Sequence, residues 1–396
     1  MLSSLIGFLL EILSSERPHP SKPREVFLRP CKRRLLVMRS RGMSLLKQTI
    51  ASIRPLDNEA AWATDARLNS LTKPPGSLGH LEELVRRYAA IRHDESVKPG
   101  RGAIAVFVAD HGVADEGVSA FPQAVTAEML RNIAAGGAAI SVLARRFGYA
   151  LKVVDVGVKT DTSANPLAGV TYRRIGAGTR NFLDGPAMTP DETTRALEVG
   201  IEIAGELAKS GATLVGIGEM GIANSTPAAA ILCALTAMPP ESIAGRGTGL
   251  DDAGVRRKIE VVARALEIHR AALVSGESTL AALGGFEIAA MAGACIGGAA
   301  YNVPVVVDGF IATAAAAVAE EIHPGLFDHL FFSHRSAEGG HALVLEHFKQ
   351  RPILDLDLRL GEGTGAALAM NLIDSALDLL NSMATFEGAG VSGKLQ

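Results

Sequence analysis

The 396 residues carry a formal net charge of −3, are 48% hydrophobic but only 5% aromatic, and include 42 glycines. Near-neutral charge gives no general pull toward nucleic acid or acidic membranes, and no apolar run reaches the ~18–20 residues of a membrane-spanning helix. Three scattered cysteines, Cys31, Cys233 and Cys295, build neither a disulfide framework nor a zinc knuckle, so a reduced, cytoplasmic protein with a large core is expected.

Residues 1–42 differ from the rest. The apolar stretch LIGFLLEIL (5–13) is interrupted by Glu11 and followed by a Pro- and Arg-rich basic segment. A secretory signal would place positive charge before the apolar run and small residues after it, and the acids argue against a transit peptide. A disordered extension or a start assigned too early is expected, with Met43 opening the true chain.

Residues 43–95 carry no clear strand and read as helices around the loop LTKPPGSLG (71–79). From residue 100 short apolar runs alternate with helical ones. Predicted strands are 103–109, 151–156, 212–217, 303–308, 329–333 and 353–360. Predicted helices are 125–146, 190–210, 226–237, 252–275, 280–300, 310–322, 337–348 and 364–383. This alternation predicts an α/β fold over 43–396: a mostly parallel sheet with helices on both faces, Rossmann-like and three-layered, plus the small helical part at 43–95. Right-handed crossovers place the strand carboxyl ends along one edge, where open α/β sheets bind ligands. Asp110-His111, Asp155, Glu219, Asp308, Ser333-His334 and Glu362 all fall there. Asp110 and His111 are adjacent and point to opposite sides of an extended chain, so no metal site is expected from them.

Gly216, Gly218 and Gly221 spell G-x-G-x-x-G, the dinucleotide fingerprint. Here the helix start signal comes later, with Ser225 or Thr226 as N-cap and Pro227 at N1, so 218–224 is expected to be a loop rather than a tight turn. Glu219 would oppose a pyrophosphate, and the acid expected ~20 residues on is represented only by Glu241. A nicotinamide-cofactor enzyme is therefore discounted. What remains is a carboxylate between glycines ahead of helix N-terminal amides suited to one phosphate. RLGEGTGAALAM (359–370) repeats the design: a strand delivers Glu362 between Gly361 and Gly363, and Thr364 can cap the helix. Two such loops suit a transfer reaction that deprotonates a nucleophile while holding a phosphorylated donor.

SLTKPPGSLG (70–79), ADHGVADEGVSAFPQAVTAEML (109–130), GIGEMGIANSTPAAA (216–230), VVVDGFIATAAA (305–316), SHRSAEGGH (333–341) and LRLGEGTGAALAM (358–370) occur in this order. Together they closely resemble the nicotinate-nucleotide–dimethylbenzimidazole phosphoribosyltransferase family over residues 45–385. The resemblance implies transfer of phosphoribose from nicotinate mononucleotide to 5,6-dimethylbenzimidazole by a homodimer that needs neither cofactor nor metal. Glu362 matches the general base. Glu219 would hold ribose or assist the same proton transfer. Phosphate and ribose contacts would come from Gly221, Asn224, Ser225, Gly247, Gly309 and Ser336, with Lys258 as the cation and Asp308 on the ribose hydroxyls. Residues 119–129 and Leu360 would form the base pocket, with Phe121 as a stacking candidate. Met129 stands where some relatives carry a Gln facing the base. A thioether gives up that hydrogen bond, which opens the alternatives of adenine, another benzimidazole or a phenol. His334 is expected to support the Ser336 loop. A non-catalytic binding protein would keep the scaffold, but it would have no need of Glu219 and Glu362. The Gly/Ala-rich run 283–300 permits close helix packing, inside one subunit or across a dimer.

Overall fold

The computed structural model describes residues 43–247 and 249–392; the segment 1–42 lies outside the described residues. Six parallel strands form one sheet, in the order β3-β2-β1-β4-β5-β6. They are β1 (Arg101–Ala109), β2 (Ala150–Gly157), β3 (Val170–Tyr172), β4 (Ala212–Met220), β5 (Val305–Val307) and β6 (Leu330–Phe332). The inner strands are apolar almost throughout because both faces are covered. One face presents Ala105, Phe107, Val215, Ile217 and Val307 to one core, and the other presents Ile104, Val106, Val306 and Phe331 to a second.

The N-terminal part supplies α1 (Leu45–Ile50), α2 (Asn58–Ser70) and α3 (His80–Arg92). The crossover from β1 to β2 carries α4 (Ala124–Ala134) and α5 (Ala139–Phe147), and α6 (Pro190–Lys209) precedes β4. Between β4 and β5 lie α7 (Ser225–Thr236), α8 (Pro240–Ile243), α9 (Asp252–Ile268), α10 (Gly276–Leu283) and α11 (Phe286–Ala300). Helix α12 (Phe310–Ile322) joins β5 to β6, and α13 (His341–His347) and α14 (Thr364–Ser382) follow. Helices α6, α7, α10, α11 and α12 pack on the first face, and α3, α4, α5 and α14 on the second. The expected layers and parallel sheet are present. Among the described residues no helix is long and apolar enough to cross a membrane.

Several boundaries differ from expectation. The predicted strand 353–360 does not form; a single bridge joins Leu354 to His334, Asp357 turns left-handed at φ 52°, and Leu356 and Leu360 are exposed. Leu and Asp alternate there, and the segment leaves the sheet before a neighbour covers its apolar side. Strand β3 escapes the sequence because it has only three residues at an edge. The predicted helix 125–146 breaks at Gly136, which has φ 89°, and 280–300 breaks at Gly284-Gly285. Helix 252–275 ends at Ile268, with a short 3-10 turn beyond, and 337–348 contracts to α13.

Candidate active site

Strand β4 runs three residues further than predicted, so Gly218 and Glu219 lie in the strand, paired with Val106 and Phe107 of β1. The open turn is confined to the residues before α7, where Ala223 takes φ 75°. Helix α7 begins at Ser225, with Asn224 as the cap residue; Pro227 is at N3 rather than N1. Asn224 makes no side-chain cap because its Nδ2 donates to the Glu219 carboxylate instead.

The glycines of the β4 motif make room for the Glu362 turn. A methyl group on Gly218 would collide with the backbone of Gly363, and one on Gly361 with the Glu219 carboxylate. Gly361, Glu362 and Gly363 all take positive φ, at 86°, 63° and 87°. For a glutamate that conformation is strained and must be held by its surroundings. Glu362 N–H donates to the Glu219 carbonyl at 3.1 Å, and the next amide, Gly363 N–H, donates to Asp308 Oδ2 at 3.0 Å. Asp308 Oδ1 accepts from Ala366 N–H at 2.9 Å. The α14 amides read as open to an anion are therefore occupied by Asp308, which leaves β5 and ties down the turn. Thr364 does not cap; its hydroxyl donates to the Gly361 carbonyl at 2.8 Å.

A cleft opens above the carboxyl ends of β4, β5 and β6. The structure brings Glu219, Gly221, Asn224, Ser225, Gly247, Asp308, Gly309, Ser336 and Leu360 to its walls. Lys258 lies directly behind, wholly buried, with Nζ donating to Ser225 Oγ and to the Gly245 carbonyl at 3.0 Å each. The Glu362 carboxylate turns toward the start of α5, with Oε2 3.5 Å from Ile140 N. Phe121, half exposed, and Met129, which packs on the second core from α4, do not line the cleft.

Three carboxyls crowd this edge. Burial, helped by the neighbouring Glu287, Asp308 and Glu362 charges, pushes Glu219 up to about 8 against the opposing Asn224 bond. Burial likewise raises Asp308 to about 7 despite its backbone donors, and it raises Glu362. Each becomes a better proton acceptor than an ordinary carboxylate. Burial lowers the Lys258 ammonium, and the nearby Glu338 charge opposes this.

His334 does not support the Ser336 loop as expected. Its Nδ1 meets Ser333 Oγ at 2.8 Å, while Ser336 N–H donates to His341 Nδ1 at 2.8 Å. The His334 ring is thus engaged by its own neighbour in the chain, and α13 brings His341 to the amide instead. His341 then presents Nε2 to Thr313 Oγ1 at 2.9 Å, and burial holds it neutral with a pKa near 3. His111 pairs with Glu287 Oε1 at 2.6 Å, both wholly buried. Neither Glu287 nor Glu338 stands out in the sequence reading. The one available signal is Glu287 as the sole acid in the apolar run FEIAAMAGACIGGAA.

A phosphoribosyltransferase family model matches residues 53–391. Over 350 residues the chain is 47% identical to a nicotinate-nucleotide–dimethylbenzimidazole phosphoribosyltransferase from Geobacter sp. (strain M21), covering 88% of this chain and all of that one. It is 49% identical over 352 residues to a protein of the same name from Chloroflexus aggregans, covering 89% and 99%. A solved structure of CobT from Thermus thermophilus superposes with a TM-score of 0.81 at 47% identity, covering 85% of this chain and all of the other.

Proposed function

The chain belongs to the nicotinate-nucleotide–dimethylbenzimidazole phosphoribosyltransferase family, and from that membership we propose how its residues carry out the transfer. The enzyme moves phosphoribose from nicotinate mononucleotide to 5,6-dimethylbenzimidazole in cobalamin assembly. One benzimidazole nitrogen attacks C1′ of the ribose as the C1′–N bond to nicotinate breaks. The bonding pair returns to the pyridinium ring, whose positive charge makes it a leaving group without an acid. Attack from the opposite face turns the β-linked donor into an α-linked product. The other benzimidazole nitrogen loses its proton to Glu362.

The observation that carries this reading is the pinned left-handed turn, which fixes Glu362 beside a cleft furnished with a carboxylate, an amide and a hydroxyl and backed by a lysine. Ser225, Gly247 and Lys258 take the phosphate, and Glu219 with Asn224 takes the ribose. Asp308 serves the turn through two backbone bonds, so its part in ribose binding is secondary. Residues 43–396 act as one phosphoribosyltransferase domain. The reading extends to a cytoplasmic homodimer. Its interface lies away from α11, which is buried inside the subunit.

The test is nicotinate release from nicotinate mononucleotide. We expect release that depends on dimethylbenzimidazole, with kcat/KM falling as pH drops through the pKa of Glu362. Burial raises that pKa, so the acid limb lies above the usual carboxylate range, the active form being the carboxylate. Release with adenine or a phenol but not with dimethylbenzimidazole would keep the reaction and change the acceptor. No base-dependent release would overturn the reading.

A further inference from the structure

The cleft holds one buried carboxylate that neither proton transfer nor ribose binding employs. Glu338, in the loop before α13, faces the same cleft as Ser225 and Gly247, and both its oxygens lie 2.9 Å from Gly247 N. The two loops are pressed together: a methyl group on Gly245 would stand 2.6 Å from Glu338 Oε1 and 2.7 Å from Gly339 N. Donors converge on Gly247. Lys258 Nζ and Ser225 Oγ would each stand 2.9 Å from a methyl group placed there. Lys258 has three hydrogens, of which Ser225 and the Gly245 carbonyl account for two. An amide, a hydroxyl and an ammonium grouped around one glycine make an anion receptor, and the anion bonded to its amide is the protein's own side chain.

We infer that Glu338 is a specificity-determining residue: it holds the Gly247 amide in the phosphate's place and must yield it when the mononucleotide enters. This rests on the reading of the cleft as the phosphoribosyl site. A phosphate dianion brings two charges and three acceptor oxygens to Ser225, Gly247 and Lys258, where Glu338 brings one charge and two oxygens. It therefore displaces the carboxylate, while a nucleoside without phosphate has nothing with which to compete. The carboxylate lowers affinity for every anion and leaves phosphomonoesters as the class that clears the threshold.

Glu338→Gln keeps the shape and removes the charge. The KM for nicotinate mononucleotide and the Kd for inorganic phosphate, measured by calorimetry, should both fall about 2- to 10-fold, the spread between neutral and charge-assisted hydrogen bonds. Values unchanged or raised in the folded variant would overturn the proposal and make Glu338 a brace for the Gly247 loop. Should the Gln variant not fold, Glu338→Asp, drawn back from the amide by one methylene, should tighten phosphate in the same direction, and weaker phosphate binding by it would overturn the proposal. A wild type that releases no nicotinate overturns the reaction reading, and the phosphate titration still decides Glu338.

Discussion

Glu362→Gln is expected to lower dimethylbenzimidazole-dependent nicotinate release by about 10²-fold or more, within the range for a lost general base. Benzimidazole N–H is a poor acid in water, so its second nitrogen gains nucleophilicity only if the proton departs as the new bond forms. Glutamine fits the same turn, because the backbone bonds from residues 362 and 363 to Glu219 and Asp308 do not involve the side chain. Ser225 and Lys258 are the residues proposed to take the phosphate, while the Glu362 carboxylate faces α5, so the KM for the mononucleotide should change little. A drop in kcat at constant donor KM is the signature of a group engaged in the transition state. Full activity in the variant would move the proton to Glu219, one of the two further carboxyls with a raised pKa next to the turn.

The second large effect is on stability. Helices α6 and α11 cross at backbone distance: a methyl group on Gly200 would collide with the Ala290 carbonyl, and one on Gly293 with the Leu197 carbonyl. At Gly297 it would stand 2.9 Å from Ala204 Cβ and 3.1 Å from Ile201 Cα. Gly293→Leu therefore forces α11 away from α6 and off the sheet. Helix propensity favours leucine over glycine by only about 1 kcal/mol. Overpacking outweighs it, and we expect a net loss of about 3 kcal/mol, read as a lower denaturant midpoint and Tm. An unchanged midpoint would mean that the crossing can open without cost. The sequence leaves this run free to pack within a subunit or across a dimer; its position on the first core decides for the subunit interior.

Legibility in the sequence follows the physics of burial. Strands β1, β2 and β4 lie inside the sheet and read as apolar runs, so their predicted ends fall within three residues of the observed ones. The predicted strand 353–360 fails because strict alternation promises one covered face, and whether a neighbour covers it is a tertiary fact. Glu219 and Glu362 stand out because glycines flank each of them, and those glycines serve a single close approach of two segments. Glu338 and Glu287 carry no such local mark: their partners lie 91 and 176 residues away in sequence. Lys258 sits in VRRKIEVV beside exposed charged neighbours, and only the packing of α9 on α7 buries it.

The order in which the chain is made gives the position of α14 another meaning. The last strand, β6, ends at residue 332, yet β4 and β5, which present Leu214 and Val306 on the second face, pack against a helix that begins at residue 364. During synthesis the sheet can be complete while this part of its apolar surface is still bare. Such surface invites self-association until it is covered. The segment that brings Leu360 and Gly361 to the cleft, with Glu362 beside it, also closes that face, so protection from association and completion of the cleft arrive in one step. A chain stopped at residue 350 would fail first by aggregating, before its lack of catalysis could be measured.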